Sequence, residues 1–195
     1  MIIEEILTDM VDCPNVRFLQ VEGLKATQSR EVLKLLEKLK IEDFDLIIEI
    51  GTQEGGFSLL LKEYLKNEVH TWDISQWYPI DLKRDLFNKH GINYHIRDCF
   101  QDSLLVKLIK DDRKKIVFCD GGDKGKEFDF FSKYLNKGDF IGAHDYFETH
   151  SKRDNNIWTT CELVYSGIEG AINREGLTQQ YREDSLNAVW ALYKK

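Results

Sequence analysis

The sequence has few residues that break or crosslink a chain. Its 195 residues include only two prolines and four cysteines, and no cysteine pair has a C-x-x-C or zinc-binding spacing. Reduced cysteines are therefore expected, because disulfide frameworks and zinc sites are recognised by regularly spaced ligands. No linker-like stretch or internal repeat occurs, so we expect one folded domain over residues 1–195.

Two further absences limit the class of partner. No apolar run approaches the length of a membrane span, and the N-terminus lacks the basic and apolar segments of a signal peptide. The formal net charge of -7 argues against a general affinity for a nucleic-acid backbone. The sequence therefore predicts a cytoplasmic protein with no membrane and no nucleic-acid partner.

The most informative segment is residues 45–56, which read D-L-I-I-E-I-G-T-Q-E-G-G. Its apolar first half is typical of a strand that is buried on both faces. Gly51, Gly55 and Gly56 allow a positive φ and the close approach of a ligand. Apolar residues then recur at helical spacing from Phe57 to Leu65, so a strand, a glycine turn and a helix follow one another.

The same alternation continues along the chain. Strands are predicted at residues 45–50, 69–74, 92–96, 115–119, 140–143, 177–181 and 188–193. Helices are predicted at 29–40, with Ser29 as the N-cap, and at 56–66, 81–90, 103–110, 127–135 and around 157–168.

This order predicts a Rossmann-like, doubly wound α/β fold. We expect a mostly parallel seven-stranded sheet that ends in an antiparallel hairpin, with helices on both faces. Residues 1–40 are expected to form a helical cover on a core of residues 41–195, and the polar segment 147–156 to form a lid.

Five acids fall at or just past the predicted strand ends: Glu49, Asp73, Asp98, Asp120 and Asp145. A parallel sheet brings these ends to one edge, where ligands bind. Asp73 lies 22 residues after Gly51, close to the spacing of roughly 20 at which a carboxylate reaches ribose hydroxyls. The turn reads G-x-x-x-G-G rather than G-x-G-x-x-G, which favours a ribose-bearing ligand without pyrophosphate over a nicotinamide dinucleotide.

These features resemble the class I S-adenosylmethionine-dependent methyltransferases over about residues 40–193. I-E-I-G-T-Q-E-G-G is similar to the family's first motif, and H-T-W-D-I-S and I-R-D-C-F are similar to the segments after the next two strands. The resemblance implies that Gly51 contacts the methionine part of the cofactor, that Asp73 holds the ribose and that Asp98 lies near the adenine. It implies cofactor binding by Glu49, Gly51, Thr52, Gly55, Asp73, Ile74, Asp98, Cys99 and Asp120.

A narrower likeness is to small-molecule and sugar O-methyltransferases, which often read D-G-x-H after the fourth strand and G-G-x-x-x-x-H-D after the fifth. The pairs D-G at 120–121 and H-D at 144–145 match this pattern. Asp123 stands where the histidine is usual, and Asp139 stands where the second glycine is usual.

The resemblance implies catalytic roles for Asp120, His144 and Asp145. His144 is a candidate general base, because its ordinary pKa suits proton removal near neutrality. Alternatively, the three side chains are candidate ligands for Mg or Mn, which would lower the pKa of an acceptor hydroxyl. In a third interpretation, the H-D pair forms a turn or helix cap and has no chemical role.

The function that this resemblance implies is methyl transfer from S-adenosylmethionine to an oxygen of a small molecule or sugar. The alternative is a methyltransferase-like binding or scaffold protein with reduced catalysis. The methyl acceptor, the need for a metal and the formation of a homodimer stay open at this point.

Overall fold

A computed structural model describes residues 1–7, 17–150 and 163–195 of the chain. Its strands are β1 (Ile3–Leu7), β2 (Arg17–Val21), β3 (Leu24–Ala26), β4 (Leu46–Ile50), β5 (Glu68–Asp73), β6 (Ile92–Ile96), β7 (Lys115–Cys119), β8 (Phe140–Ala143), β9 (Tyr146–Phe147), β10 (Leu163–Val164), β11 (Thr178–Gln179) and β12 (Ala191–Lys194). Its helices are α1 (Val32–Leu39), α2 (Gly56–Leu65), α3 (Ile80–His90), α4 (Ser103–Lys110), α5 (Lys124–Ser132), α6 (Tyr165–Glu175) and α7 (Arg182–Asn187), and a 3-10 turn covers Lys40–Glu42.

The main sheet has seven strands in the order β6-β5-β4-β7-β8-β12-β11. Neighbouring strands in this sheet are parallel, except that β12 is antiparallel to both β8 and β11. The predicted α/β fold with a terminal antiparallel pair is therefore confirmed. The strand order reverses between β4 and β7. A crevice forms at such a point because the segments that follow the two strands leave the sheet in opposite directions.

The central strands are apolar on both faces because helices cover both faces. Every residue of β4 and of β7 is buried. Ile47 belongs to the core cluster beneath α1 and α2, whereas Ile48 belongs to the cluster beneath α4, α5 and α6. This alternation is the period of two that a strand requires, and it holds the carboxyl ends of β4 and β7 in fixed positions.

The first 40 residues differ from the expected helical cover. Residues 3–7 and 17–26 contribute a three-stranded antiparallel sheet in the order β1-β2-β3, and the only helix described before residue 40 is α1. Glu22 and Gly23 join β2 to β3 with φ values of 50° and 85°, as a tight hairpin with two left-handed residues requires. β1 and β2 read I-E-E-I-L and R-F-L-Q-V, with neither an unbroken apolar run nor strict alternation, and β3 has only three residues. Their patterns therefore do not distinguish them from loops.

Ser29 is not the N-cap that the sequence predicted. Helix α1 begins at Val32 with Glu31 at the cap position, and no side chain caps it. The Ser29 hydroxyl is instead buried without a hydrogen-bond partner in the described part of the chain. It borders a small void beside His144, Asp145 and Val189.

The C-terminal elements are shorter than predicted. The antiparallel pairing of the last two strands is confirmed, but β11 and β12 are separated by the short helix α7. Helix α5 begins three residues before the predicted 127–135. Part of the predicted lid, residues 151–156, and the start of the helix predicted around 157–168 lie outside the described residues. Among the residues described, no helix is both long enough and apolar enough to cross a bilayer.

Gly56 lets the N-terminal sheet contact helix α2. A Cβ at this position would lie 2.5 Å from the backbone N of Ala26 and 2.6 Å from the carbonyl oxygen of Leu24. These are backbone atoms of β3, which cannot move aside as a flexible side chain can. Gly56 is therefore required by packing, whereas the sequence suggested that this glycine serves a ligand.

We predict that Gly56→Ala lowers the free energy of unfolding by about 1–3 kcal/mol, as expected when an extra carbon is forced into a packed interface. Urea unfolding measures the change. Gly170→Ala in α6 is the matched control, because a Cβ at Gly170 meets no atom within 4 Å and alanine has the higher helix propensity. Equal effects of the two exchanges would contradict the packing argument.

Candidate functional site

A cavity of about 480 Å³ opens at the carboxyl edge of the sheet, beside the β4–β7 pair. Six of the nine predicted cofactor-binding residues line it: Gly51, Asp73, Ile74, Asp98, Cys99 and Asp120. They follow four different strands, which the fold brings to one edge. Of the five acids predicted to enclose it, Asp73, Asp98 and Asp120 line the cavity, whereas Glu49 and Asp145 do not. Asp145 lies with His144 beside a separate small void.

The floor of the cavity depends on a close approach between Gly51 and Asp120. Gly51 has a φ of 97°, and a Cβ at this position would lie 2.1 Å from the carbonyl oxygen of Asp120. The amide of Asp120 donates to the carbonyl of Ile50 at 2.8 Å, and the amide of Gly51 donates to the carbonyl of Trp72 at 2.8 Å. The glycine turn is thus hydrogen-bonded to both neighbouring strands, and only glycine fits at residue 51.

Asp73 forms one wall of the cavity, and backbone and indole donors hold its carboxylate. Oδ2 accepts from the amide of Gln53 at 2.8 Å. Oδ1 accepts from the amide of Ser75 at 3.1 Å and from the indole N–H of Trp77 at 3.2 Å. A carboxylate offers about four lone-pair positions, so a diol that needs two of them would displace at least one present donor, and Trp77 is the only side-chain donor among the three.

Glu49 lies behind the cavity wall rather than in it. The hydroxyl of Ser58 donates to its Oε2, and the hydroxyl of Thr71 donates to the same atom at 2.5 Å. Its Oε1 is buried with no partner among the described atoms. Burial raises the pKa of Glu49 to about 8, against the opposing effect of the two hydroxyl bonds.

Thr52 and Gly55 also lie outside the cavity lining. The hydroxyl of Thr52 is 2.5 Å from that of Thr71, which links the glycine turn to the group that holds Glu49. Gly55 begins helix α2 with a φ of 98°, and a Cβ there would lie 2.6 Å from the ring of Phe87. These residues support the turn from behind.

The opposite wall is the turn after β6. Oδ1 of Asp98 accepts from the amide of Phe100 at 2.9 Å, so the aspartate fixes its own turn. Burial raises the pKa of the Cys99 thiol to about 12, so Cys99 remains a neutral thiol and its role is to pack. The ring of Phe100 stacks on that of Phe131 at 5.9 Å, which gives this wall a rigid aromatic backing.

Asp120, His144 and Asp145 form an acidic cluster at the ends of β7 and β8. Nδ1 of His144 lies 3.0 Å from Oδ1 of Asp120 and 3.6 Å from Oδ1 of Asp145. Burial favours the neutral imidazole, but the two carboxylates outweigh it and raise the pKa of His144. Burial also opposes ionisation of Asp145, yet His144 and Lys124 hold the pKa of that carboxyl below its usual range.

Two further residues hold the outer oxygens of this cluster, and sequence reasoning missed both. The amide of Gln28 donates to Oδ2 of Asp120 at 2.8 Å, and Nζ of Lys124 lies 3.1 Å from Oδ2 of Asp145. The inner Oδ1 atoms are left facing the imidazole. Gln28 lies 92 residues from Asp120, so no local pattern predicts this contact.

The backbone around the cluster is strained. Asp145 has a φ of 55° and Val189 a φ of 62°. Aspartate tolerates the left-handed region, but a β-branched valine is an outlier there. Both residues border the small void beside His144, and the amide of Tyr146 donates to the carbonyl of Val189 at 3.0 Å. Strain of this kind is concentrated at functional sites.

The cluster has the donor set of a divalent-cation site. One ligand atom from each of Asp120, His144 and Asp145 lies within 4.8 Å of the other two. Two carboxylate oxygens and one imidazole nitrogen suit Mn and, with water ligands, Mg. Asp120, His144 and Asp145 therefore fit a divalent cation. The cation would replace the proton between Nδ1 of His144 and the two carboxylates.

Glu127 is a further residue of the cavity that the sequence did not reveal. It is buried, and its carboxylate accepts from the amides of Gly121 at 3.1 Å and Asp123 at 3.3 Å. Burial raises its pKa to about 7, even though both amides favour the ionised form. The capping-box motif does not identify it, because that motif places the acid three residues after the N-cap and Glu127 lies four residues after Asp123.

The two departures from the O-methyltransferase pattern have structural roles. Asp123, where histidine is usual, caps helix α5 and accepts from the amide of Lys126 at 3.0 Å. Asp139, where glycine is usual, pairs with the buried ammonium of Lys115 at 2.7 Å. Both carboxylates are engaged in structural contacts, so neither is a candidate general base.

We predict that Gly51→Ala lowers the free energy of unfolding by about 2–5 kcal/mol, because it adds a clash with the carbonyl of Asp120 to left-handed strain. Gly91→Ala is the control, since Gly91 has a φ of 64° and open space around its Cβ position. Urea unfolding separates the two effects. If both exchanges cost the same, strain alone explains the result and the close approach is not limiting.

A second prediction concerns pH. Between the ordinary pKa of 4.5 and the raised value of about 8, folded Glu49 keeps a proton that the unfolded chain has lost. The native state then binds more protons, so rising pH lowers the free energy of unfolding in this window. Glu49→Gln has no proton to lose. Its stability relative to wild type should therefore increase by about 2 kcal/mol or more from pH 5 to pH 8.5.

Urea unfolding at several pH values measures this difference, and Glu63→Gln on the exposed face of α2 is the matched control. A Glu49→Gln protein whose stability changes with pH in parallel with wild type would contradict the assignment of a buried, protonated carboxyl.

No protein-family model matches the chain, and no curated protein sequence is significantly similar to it. Solved structures are similar. Human N-acetylserotonin methyltransferase in complex with SAM has a TM-score of 0.56 at 16% identity, over 85% of this chain and 51% of the human one. The chain thus spans about half the length of that enzyme.

Two other similar structures are of closer length. CmcI, solved with Mg and SAM, has a TM-score of 0.60 at 17% identity, over 90% of this chain and 76% of CmcI. The O-methyltransferase TomG from Streptomyces achromogenes, involved in tomaymycin synthesis and solved with SAM, has a TM-score of 0.53 at 13% identity, over 85% and 80% of the two chains. At these identities the likeness concerns the fold, and the chain has the Rossmann-like fold of these methyltransferases.

Proposed function

We propose that this protein is an S-adenosylmethionine-dependent methyltransferase that transfers the methyl group to an oxygen of a small molecule or sugar. The observation that carries the proposal is the cavity at the β4–β7 reversal, in which acids from the ends of β5, β6 and β7 meet. The sequence resemblance and the shared fold support the same cofactor.

The charge of the cavity lining fits a cationic ligand. Within residues 1–7, 17–150 and 163–195, the acids of the lining are Asp73, Asp98, Asp120, Asp123 and Glu127, and its one basic residue is Arg97. A sulfonium cofactor is positively charged near the reacting carbon, whereas a dinucleotide brings two phosphates. The excess of carboxylates therefore favours the sulfonium over the nicotinamide cofactor.

Each wall has a proposed role in holding the cofactor. Asp73 takes the ribose hydroxyls, the turn at Asp98 and Cys99 borders the adenine, and Gly51 leaves room for the methionine part. Ile74 is 76% exposed at the rim of the cavity and covers the ribose. Glu49, Thr52 and Gly55 act from behind the wall by fixing the glycine turn.

The chemical step needs orientation and removal of one proton. The acceptor oxygen attacks the methyl carbon in line with the C–S bond. When bound, the cofactor would supply an electrophilic methyl group and would leave as a neutral thioether with the electron pair of the C–S bond, while a base of this chain would take the acceptor proton. His144 is the proposed base, because Asp120 holds its Nδ1 at 3.0 Å and leaves the second ring nitrogen for the acceptor.

Asp120, His144 and Asp145 would also hold a divalent cation, Mg or Mn, if one binds. Such an ion supplies a lowered pKa for the acceptor hydroxyl and a fixed position for its oxygen.

A second candidate function is cofactor binding without turnover. The observation in its favour is that donors of the protein already hold both outer oxygens of the acidic cluster. One measurement distinguishes the two candidates. It follows the loss of the labelled methyl group from S-adenosylmethionine in the presence of a panel of phenols, catechols and sugars. Turnover with any acceptor removes the scaffold alternative.

We predict that calorimetric titration with S-adenosylhomocysteine gives one site per chain. Asp73→Asn should weaken this binding by about tenfold to a hundredfold, because hydrogen bonds to a charged acceptor are worth about 1.5–3 kcal/mol. Asp85→Asn on the exposed surface of α3 is the matched control and should bind as wild type does. The absence of heat and of any thermal shift at millimolar ligand would contradict the proposed function.

A further inference from the structure

Gln28 connects the N-terminal sheet to the acidic cluster. It follows β3 and is 1% exposed, although glutamine is usually a surface residue. Its Nε2 lies 2.8 Å from Oδ2 of Asp120, and its Oε1 lies 2.9 Å from Nε1 of Trp190. Both ends of a buried amide are thus hydrogen-bonded to residues at the carboxyl edge of the main sheet.

The chemistry of the two partners determines which way the amide faces. The indole N–H of Trp190 is only a donor, so it requires the oxygen of Gln28. The carboxylate of Asp120 is an acceptor, so it requires the amide nitrogen. The inverted amide would place an oxygen against a carboxylate and leave a buried indole N–H unpaired, which is costly.

The fixed amide in turn restricts Asp120. With Oδ2 held by Gln28, Oδ1 is the oxygen that remains for His144, and Nδ1 of His144 lies 3.0 Å from it. The imidazole packs against the indole of Trp190, with ring centroids 4.8 Å apart. Trp190 therefore supports both ends of the chain Gln28–Asp120–His144.

We propose that Gln28 is a positioning residue, which turns Asp120 so that its Oδ1 accepts from Nδ1–H of His144. The neutral imidazole is thereby held in its Nδ1–H tautomer, with Nε2 as the atom that takes a proton. This role in catalysis rests on the proposed methyl transfer, whereas the hydrogen-bond chain itself is a property of the ligand-free protein.

The test is ¹⁵N NMR of histidine-labelled protein in EDTA. The pH is set high enough that the His144 signals no longer change with pH, so that the imidazole is neutral. The chain has five histidines, so comparison with His144→Asn assigns the signals. Wild type should show the Nδ1–H tautomer. Gln28→Leu and the unbranched Gln28→Met each remove both hydrogen bonds of the amide.

Each exchange should lower the ratio of Nδ1–H to Nε2–H tautomer about tenfold, the usual effect of losing one hydrogen bond to a charged group. Gln20→Leu, the same kind of exchange at a half-buried position of β2, should leave the ratio unchanged. An Nε2–H tautomer in wild type, or an unchanged ratio in Gln28→Met, would overturn the proposal. If Gln28→Leu does not fold, the wild-type spectrum and Gln28→Met, whose side chain is similar in length and shape to glutamine, still decide it.

Titration of the same samples with S-adenosylhomocysteine separates this proposal from the proposed function. Retained cofactor binding with an altered tautomer supports the positioning role. A wild-type protein that has the Nδ1–H tautomer but binds no S-adenosylhomocysteine supports the hydrogen-bond chain and contradicts methyl transfer.

Discussion

The site depends on one steric constraint, the contact between the glycine turn after β4 and the end of β7. A Cβ at Gly51 would lie 2.1 Å from the carbonyl oxygen of Asp120, so the two backbones meet at a distance that only glycine permits. Because β4 and β7 are buried along their whole length, neither can move to relieve a larger residue. The cavity and the position of Asp120 both follow from this contact.

Around this contact, the acids divide into two groups with different electrostatics. Oε1 of Glu49 accepts no hydrogen bond from the described residues, and burial raises the pKa of this carboxyl to about 8. Asp73 and Asp120, in contrast, accept hydrogen bonds from backbone or side-chain donors on both oxygens. The crevice thus has carboxylates on its walls and the protonated carboxyl of Glu49 behind the glycine turn. This combination is suited to a ligand with one positive charge and several hydroxyls.

The parts of the fold that could be predicted are those with strong local signals. The strands at 92–96, 115–119 and 140–143 and the helix at 103–110 have the bounds that their apolar patterns indicate. The glycine turn and the acids at the strand ends follow from the same patterns. The N-terminal sheet was missed because β1 and β2 have irregular apolar patterns. The roles of Gln28 and Gly56 were missed because their partners are distant in sequence. Ser29 failed as a cap because its hydroxyl is buried near His144 instead.

The central claim is that the crevice beside Gly51 holds a nucleoside sulfonium. A crystal structure of the protein grown with S-adenosylhomocysteine tests this most directly. The account predicts ligand density between Asp73 and the turn at Asp98, with the ribose hydroxyls on Asp73 and the indole of Trp77 released from Oδ1. Density elsewhere on the molecule, or an unoccupied crevice at saturating ligand, would contradict it.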